Sequence, residues 1–317
     1  MTAREWRPMG CITAASLVLG AITVTATIRL NRAPAEAHAI PAAATEDYGR
    51  RLLAQTPEYL GPDVADPKMR YISSRLSCGS CHLGAGAEPG TLSLPESIHH
   101  YPRFSPRYGA NTSIEDRVNE CMQRSMNGRP LPKNSVEMIA ITAYIKSLGD
   151  QDAASAPARR KVDEPSGFKT PNRAADLAAG KRILEEKCAA CHQKDGSGLL
   201  AAANPIHGYV FPPLWGQDSF NTGAGMHRIL TAAKFIKARM PLGKPDLTND
   251  EAFDVAGYLN SMPRPEMANL QADYPDRKTK PIDNAYGPFA DPFPLSQHQF
   301  GPFAPIEAFY KVKPAAK

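Results

Sequence analysis

The chain has 317 residues, which is room for two domains of ordinary size and too much for one small module. Its composition, 42% hydrophobic and 22% charged, excludes a wholly disordered protein. A net charge of +5, with both signs dispersed along the chain, gives no reason to expect a nucleic-acid partner.

Residues 1–30 predict export. Two arginines precede an uncharged stretch, residues 10–28, which Arg29 closes. This pattern is typical of a signal peptide or of an uncleaved signal anchor. The length of the stretch favours an anchor, whereas a small-x-small sequence at residues 35–37 would suit cleavage. We therefore expect the rest of the chain in the periplasm, either soluble or anchored to the inner membrane.

Four of the six cysteines form two C-x-x-C-H motifs, Cys78-Gly-Ser-Cys81-His82 and Cys188-Ala-Ala-Cys191-His192. In this motif the two thiols add to the haem vinyl groups, and the adjacent histidine ligates the iron. A zinc site would need further cysteines or histidines at matched spacing, and a thioredoxin-type pair does not need the histidine. The sequence therefore predicts two covalently bound haem c groups, which agrees with export because c-type haem is attached outside the cytoplasm.

A helix is expected to lead into each motif, and another to close each haem domain. Apolar spacing predicts opening helices over residues 48–54 and 176–187. The capping boxes Asn134-x-x-Glu137 and Thr248-x-x-Glu251 predict where the closing helices begin. The two halves therefore follow one plan.

A glycine in each opening helix predicts close helix packing. Gly49 and Gly180 would let an aromatic of the closing helix, Tyr144 or Tyr258, approach closely. This plan is similar to the crossed-helix arrangement of class I cytochromes c. We predict a mainly α protein with these segments: signal peptide or signal anchor 1–30, linker 31–45, cytochrome c-like domain with the first haem 46–150, linker 151–172, cytochrome c-like domain with the second haem 173–264, and tail 265–317.

The tail, residues 265–317, has no helical or alternating period, yet it carries many aromatic residues. Such a composition is unusual for a free disordered segment. We expect a long irregular C-terminal strap that wraps across the two haem domains.

The second axial ligand of each iron separates an electron carrier from a catalyst. In the second domain Met240 stands on a Pro/Gly-rich loop eight residues before Thr248, where a class I cytochrome presents its methionine. Met226 and Lys237 are alternatives. A proline carbonyl in the segment 211–216 could hold the other nitrogen of His192.

The first domain leaves two ligands open. Met126 lies eight residues before Asn134, so the repeat predicts a second His/Met haem. Cys121 competes with it, on a helix that Ser113-x-x-Asp116 caps, because this thiol has no internal disulfide partner. A buried, inert cysteine is the simplest interpretation of spacing alone. His99 and His100 are weaker candidates.

Several blocks in this order resemble the dihaem thiosulfate dehydrogenase family, which forms tetrathionate from thiosulfate: residues 76–83, 94–97, 107, 113–132, 209–216, 235–243, 273–277 and 286–289. The resemblance implies a catalytic haem ligated by His82 and Cys121, and an electron-transfer haem ligated by His192 and Met240. It also implies that Cys121 carries a thiosulfate covalently. A small periplasmic cytochrome c or a similar carrier is the expected electron acceptor.

Two thiosulfate dianions need preorganised cations, and guanidinium groups suit a tetrahedral oxyanion. Arg107 is the leading candidate, with Arg103 and Ser97 behind it. The arginines of the Cys121 helix and its end are expected on a solvated face: Arg117, Arg124 and Arg129. Some family members carry a lysine before the ligand methionine and exchange the two on reduction, but Arg239 stands here and cannot serve as a ligand.

Other functions stay open. A non-catalytic dihaem electron carrier would have His/Met ligation at both haems, as the Met126 alignment suggests. A dihaem peroxidase would need motifs that the chain lacks. The haem subunit of the Sox sulfur-oxidation complex also uses a cysteine-ligated haem, but it depends on a carrier partner. The direction of the reaction is not fixed, because the reverse reaction is tetrathionate reduction.

Overall fold

Two crossing helices, α1 (Glu46–Ala54) and α4 (Val136–Arg159), form the frame of the first lobe, residues 46–159. The computed structural model describes residues 44–89, 92–95, 97–159 and 167–311. At the crossing, a Cβ added to Gly49 would overlap the Ala140 carbonyl and lie 2.7 Å from Tyr144 Cβ. The predicted close approach at this glycine is confirmed.

The second lobe, residues 173–264, repeats this crossing. Its opening helix α5 (Leu177–Ile183) continues through a π turn (Leu184–Cys188) into α6 (Ala189–His192) and so into the second C-x-x-C-H motif. The closing helix is α8 (Asn249–Ser261). A Cβ on Gly180 would overlap the Asp254 carbonyl and lie 2.8 Å from Tyr258 Cβ.

Other elements fill the space between opening and closing helices. The first lobe adds helices α2 (Thr56–Leu60) and α3 (Ile114–Arg124), and an antiparallel hairpin of β1 (Arg103–Ser105) and β2 (Ala110–Thr112). The second lobe adds the hairpin of β3 (Leu199–Leu200) and β4 (Tyr209–Phe211), and helix α7 (Ile229–Arg239). Helices α3 and α7 are the elements that carry or precede Cys121 and Met240.

The predicted helix starts are mostly confirmed, with one shift. Both side chains of the capping boxes at Ser113 and Thr248 make their reciprocal bonds. Helix α4 instead begins one residue later than expected, and Ser135 Oγ, not the Asn134 side chain, accepts from the amide of Met138 at 3.1 Å. The same helix continues to Arg159, into the segment predicted as a linker.

Each lobe has its own apolar core. In the first, residues of α1 and α4 are fully buried, among them Tyr48, Leu52 and Met138. In the second, Phe253 and Leu247 are fully buried. Phe303 and Ile306 of the tail are members of the second core.

The tail contacts both lobes, but it is not wholly irregular. It contains two short helices, α9 (Leu295–Phe300) and α10 (Ala304–Lys311), which corrects the expectation of no helix. The amide of Tyr274 donates to the Arg107 carbonyl of the first lobe at 2.8 Å. The Phe303 ring meets Phe253 of the second lobe edge-on, with centroids 6.2 Å apart.

The predicted leader, residues 1–30, lies outside the described residues. Within the described part of the chain, no helix is both long and apolar enough to cross a bilayer.

Candidate haem and substrate sites

The cysteines of both C-x-x-C-H motifs are free thiols, namely Cys78, Cys81, Cys188 and Cys191. Burial raises the pKa of Cys78 to about 11 and that of Cys81 to about 12. Burial likewise raises the pKa of Cys188 to about 11. Two pairs of thiols at this spacing are the groups that thioether bonds to haem require.

The histidine of each motif is oriented by a backbone carbonyl. His82 Nδ1 lies 2.6 Å from the Leu92 oxygen, and His192 Nδ1 lies 2.8 Å from the Pro212 oxygen. A ring that donates from Nδ1 presents the lone pair of Nε2, which is the arrangement of an iron-ligating imidazole. Burial lowers the pKa of both rings and keeps them neutral. Both motifs therefore fit haem c, and the predicted proline carbonyl beside His192 is confirmed.

Apolar and aromatic groups surround the second motif. Trp215 meets Tyr258 edge-on at 6.1 Å, and its ring fills the space beside Gly196, just after the motif. Met240 ends helix α7 and packs, like Cys188 and Trp215, at the border of the second core.

The two alternatives to Met240 have different surroundings. Lys237 donates its amine to the Leu247 carbonyl at 2.5 Å, so this nitrogen is already engaged. Met226 also lies at the border of the second core.

In the first lobe Cys121 interacts electrostatically with the haem-attachment thiols. A negative charge on Cys121 would raise the pKa of both Cys78 and Cys81, so its sulfur is close to theirs. Met126, by contrast, is 3% exposed and belongs to the apolar core. Cys78 packs against the core that contains Met126, so the assignment of the second ligand to Cys121 stays a prediction.

A cation and a phenol stand beside Cys121. Arg117 lies one helical turn before it on α3, and the charge of Cys121 is the largest cause that raises the pKa of this arginine. Burial raises the pKa of Tyr101, and the charges of Arg117 and Arg103 oppose that shift. The sequence analysis missed Tyr101, because it belongs to no motif.

Arg107, the leading sequence candidate, is bound to carboxylates. Its Nε lies 2.6 Å from Glu120, and its Nη1 lies 2.7 Å from Asp273 and 2.8 Å from the Tyr286 hydroxyl. The side chain is 12% exposed. Its role in substrate binding stays a prediction, while its contacts join α3 to the tail.

Of the other polar residues predicted for the site, Arg103 lies near Cys121, whereas Ser97 and His99 contact backbone carbonyls. Arg103 stacks on Tyr101 at 5.1 Å, on the Cys121 side. Ser97 donates its hydroxyl to the Leu94 carbonyl at 2.5 Å. His99 Nε2 lies 3.4 Å from the Gly149 carbonyl.

Two arginines expected on a solvated face have structural contacts. Arg124 is 5% exposed and pairs with Asp273 at 2.8 Å, so its predicted exposure is wrong. Its partner lies 149 residues further along the chain, which no local pattern reveals. Arg129 covers the Tyr71 ring at 3.7 Å.

Comparison with known proteins agrees with two cytochrome c domains. A family model described as the SoxA/TsdA cytochrome c domain matches residues 70–152, and one described as cytochrome c oxidase, cbb3-type, subunit III matches residues 175–259. Together with the two oriented histidines and the paired thiols, these matches define a c-type cytochrome with two covalently bound haems.

Sequence similarity to whole proteins shows which family of c-type cytochromes the chain belongs to. The chain is 40% identical to a thiosulfate dehydrogenase of Stutzerimonas stutzeri, over 70% of this chain and 68% of that protein. It is 39% identical to one of Allochromatium vinosum, over 68% of this chain and 77% of that protein. The chain therefore belongs to the thiosulfate dehydrogenase family.

A solved structure has the same fold over most of this chain. The thiosulfate dehydrogenase (TsdBA) of Marichromatium purpuratum superposes with a TM-score of 0.63 at 29% identity and covers 78% of this chain. The match spans half of that longer chain.

Proposed function

We propose that this cytochrome oxidises two thiosulfate ions to one tetrathionate and passes the electrons to an external acceptor. One observation carries the proposal: the charge of Cys121 acts on the first pair of haem thiols and on Arg117, one turn before it on helix α3. The family's named relatives support the choice of substrate.

The two haems are assigned as follows. Cys78 and Cys81 attach the first, whose iron His82 and Cys121 would hold. Cys188 and Cys191 would attach the second, whose iron His192 and Met240 would hold. When bound, the haems accept electrons one at a time and pass them outward.

Cys121 is the proposed nucleophile. Its thiolate bonds to the outer sulfur of one thiosulfate, and this bond forms with loss of two electrons to give a Cys–S–S–SO₃⁻ adduct. The outer sulfur of a second thiosulfate then attacks the adduct at the sulfur bonded to Cys121 Sγ; the Sγ–S bond breaks, the Cys121 thiolate is expelled and tetrathionate leaves, in the manner of thiol–disulfide exchange. The reverse sequence would reduce tetrathionate.

Cations must offset the repulsion between two dianions. Arg117 interacts electrostatically with Cys121, and its side chain is 43% exposed, so it can meet an incoming anion. Arg103 and Tyr101 stand on the same side. Arg107 and Ser97 complete the proposed substrate surroundings, with Arg107 acting through its Nη2 because Nε and Nη1 are bound.

Export to the periplasm belongs to the same proposal. Attachment of c-type haem takes place outside the cytoplasm, and residues 1–30 have the pattern of a signal peptide or signal anchor. A small periplasmic cytochrome c is the proposed acceptor.

The test uses the purified holoprotein alone. Thiosulfate added to the oxidised protein should reduce the haem absorption bands, and one tetrathionate should form for each two thiosulfates consumed. Activity of the single chain would exclude a Sox-type dependence on a carrier protein. A fully haem-loaded protein that thiosulfate does not reduce would contradict the proposal and leave a dihaem electron carrier.

A further inference from the structure

A buried guanidinium in the second lobe lacks an anionic partner. Arg264, just after helix α8, is 7% exposed and lies over the Phe220 ring at 4.2 Å. Its Nη2 donates to the Leu259 carbonyl at 2.7 Å. Among the residues that the structure describes, its Nε and Nη1 have no hydrogen-bond partner. A buried charge without a counter-charge is strongly disfavoured, so this group calls for an anion.

A second orphaned group lies next to it. The Asn260 amide follows Leu259, the residue whose carbonyl Arg264 binds, and both its Nδ2 and its Oδ1 are buried without a partner in the described structure. Buried polar atoms are nearly always hydrogen-bonded in native proteins. One acceptor would satisfy the unused donors of both residues, Nε and Nη1 of Arg264 and Nδ2 of Asn260.

Arg264 is linked to the segment that orients His192, the proximal histidine of the second haem. Pro212 accepts from His192, and four residues later the amide of Gly216 donates to the Pro263 carbonyl at 2.8 Å, directly before Arg264. The same segment ends at Phe220, beneath the guanidinium. Residues 212–220 thus connect the iron ligand to the orphaned donors.

We propose that Arg264, assisted by Asn260 Nδ2, binds a propionate carboxylate of the second haem and thereby raises the reduction potential of that haem. Haem c carries two propionates, which are the only anions of the cofactor. Pairing with a fixed cation offsets the negative charge that would otherwise favour the oxidised, more positive iron.

The proposed propionate-binding residues, Arg264 and Asn260, occur in the second lobe and have no equivalent in the first. Counted from the matching tyrosines Tyr144 and Tyr258, the first lobe has Lys146 where the second has Asn260, and Asp150 where the second has Arg264. An acidic residue at that place cannot bind a propionate. The first haem should therefore not respond to changes at Arg264.

The other titratable group near Arg264 stays neutral. His227 holds the Thr222 carbonyl with Nδ1 at 2.9 Å, and burial together with the charge of Arg264 lowers its pKa to about 4. It therefore does not titrate near neutral pH.

The experiment is a spectroelectrochemical titration of both haems in the full-length holoprotein, without thiosulfate, at several pH values. Arg264→Gln should lower the potential of the second haem and make it depend on pH around neutrality, because the unpaired propionate then titrates. Arg264→Lys keeps the charge and should restore most of the potential. The control Arg182→Gln removes an exposed charge from the same lobe and should have little effect.

An unchanged potential in Arg264→Gln, or an equal shift in Arg182→Gln, would overturn the proposal. If the variant fails to bind haem, the wild-type protein decides the question. A potential of its second haem that is flat across neutral pH supports a paired propionate, whereas a sloping one contradicts it. These outcomes do not depend on thiosulfate turnover, so they are separate from any failure of the proposed function.

Discussion

The two lobes share a frame and differ in the element placed opposite the histidine. Gly49 meets Tyr144 in the first lobe as Gly180 meets Tyr258 in the second, and each histidine is held by a backbone carbonyl. The distal elements are unlike. Helix α3 brings Cys121 to the first site, whereas helix α7 ends at Met240 in the second. The frame suits a haem in either case, and in the proposed function the helix that carries Cys121 or ends before Met240 sets the role of that haem.

Helices α3 and α7 also differ in their surroundings, which are charged around α3 and apolar around α7. Helix α3 carries Arg117, Glu120 and Arg124 in a charged network that reaches the tail. Helix α7 buries Ala233 and Ile236 against an apolar core. Under the proposed function, charges near Cys121 suit anionic substrates, and the apolar surroundings of Met240 suit a haem that only transfers electrons.

The largest expected effect is a loss of thiosulfate oxidation when Cys121, but not Met126, is replaced. Cys121→Gly should lower thiosulfate oxidation by about three orders of magnitude, as expected when a nucleophile is removed. The matched control is Met126→Leu, a volume-conserving change in the core that should cost less than about 1.5 kcal/mol and leave turnover unchanged. Steady-state assays on both variants make the comparison. The reverse ranking would assign the first iron to Met126.

The next largest effects should distinguish two arginines of the charged network, one needed for activity and the other for stability. Arg117→Gln should lower kcat/KM about 100-fold through loss of a cation at the reacting anions, with little change in stability, because its side chain is 43% exposed. Arg107→Gln removes one of the cations paired with the buried carboxylates of Glu120 and Asp273 and should cost about 3 kcal/mol of unfolding free energy.

Assays and thermal unfolding of both variants check this separation. A large loss of activity in Arg107→Gln at unchanged melting temperature would restore Arg107 as the main substrate cation. Unchanged kcat/KM in Arg117→Gln would remove that residue from the site.

The shared frame predicts matched losses at the two glycines. Gly49→Ala and Gly180→Ala each force a methyl group into the facing helix, so each should destabilise its lobe by about 1–3 kcal/mol. Denaturant unfolding of the two variants measures the effect. If one substitution is harmless, the lobes do not share the crossing as described.

The smallest expected effect is a pH dependence confined to the contact between the first lobe and the tail. Burial of Asp273 opposes its ionisation, but hydrogen bonds from Tyr286 and Arg124 and the nearby arginine charges outweigh this, and the pKa is lowered. Stability from this group is therefore present above the unfolded pKa of about 3.9 and is lost as the pH falls through the lowered value.

The measurement is the melting temperature of wild type and Asp273→Asn between neutral and acidic pH. The variant should be less stable at neutral pH and show a flatter decline in acid. Parallel curves for the two proteins would show that Asp273 contributes nothing to this dependence.

Local and steric signals made the frame predictable. The C-x-x-C-H motifs, the capping box at Thr248 and the glycine opposite Tyr258 each depend on a few residues close in sequence or on one close approach. The start of helix α4 was predicted one residue too early. Asn134 and Ser135 are both good caps, and spacing alone does not choose between them.

The charged network was not predictable, because its pairs are distant along the chain. Arg107 and Asp273 are 166 residues apart, so nothing local shows that this guanidinium is bound to carboxylates. Tyr101 lies near Cys121 only through the fold. Helices α9 and α10 of the tail are too short to show a period.

The central claim is that one frame holds two unlike distal ligands, a thiolate in the first lobe and a thioether in the second. Low-temperature electron paramagnetic resonance and near-infrared magnetic circular dichroism of the oxidised holoprotein test it most directly, because both techniques distinguish sulfur ligands of haem iron. The account predicts one His/thiolate and one His/methionine haem in equal amounts, with only the former lost in Cys121→Gly. Two His/methionine haems, unaffected by that substitution, would contradict it.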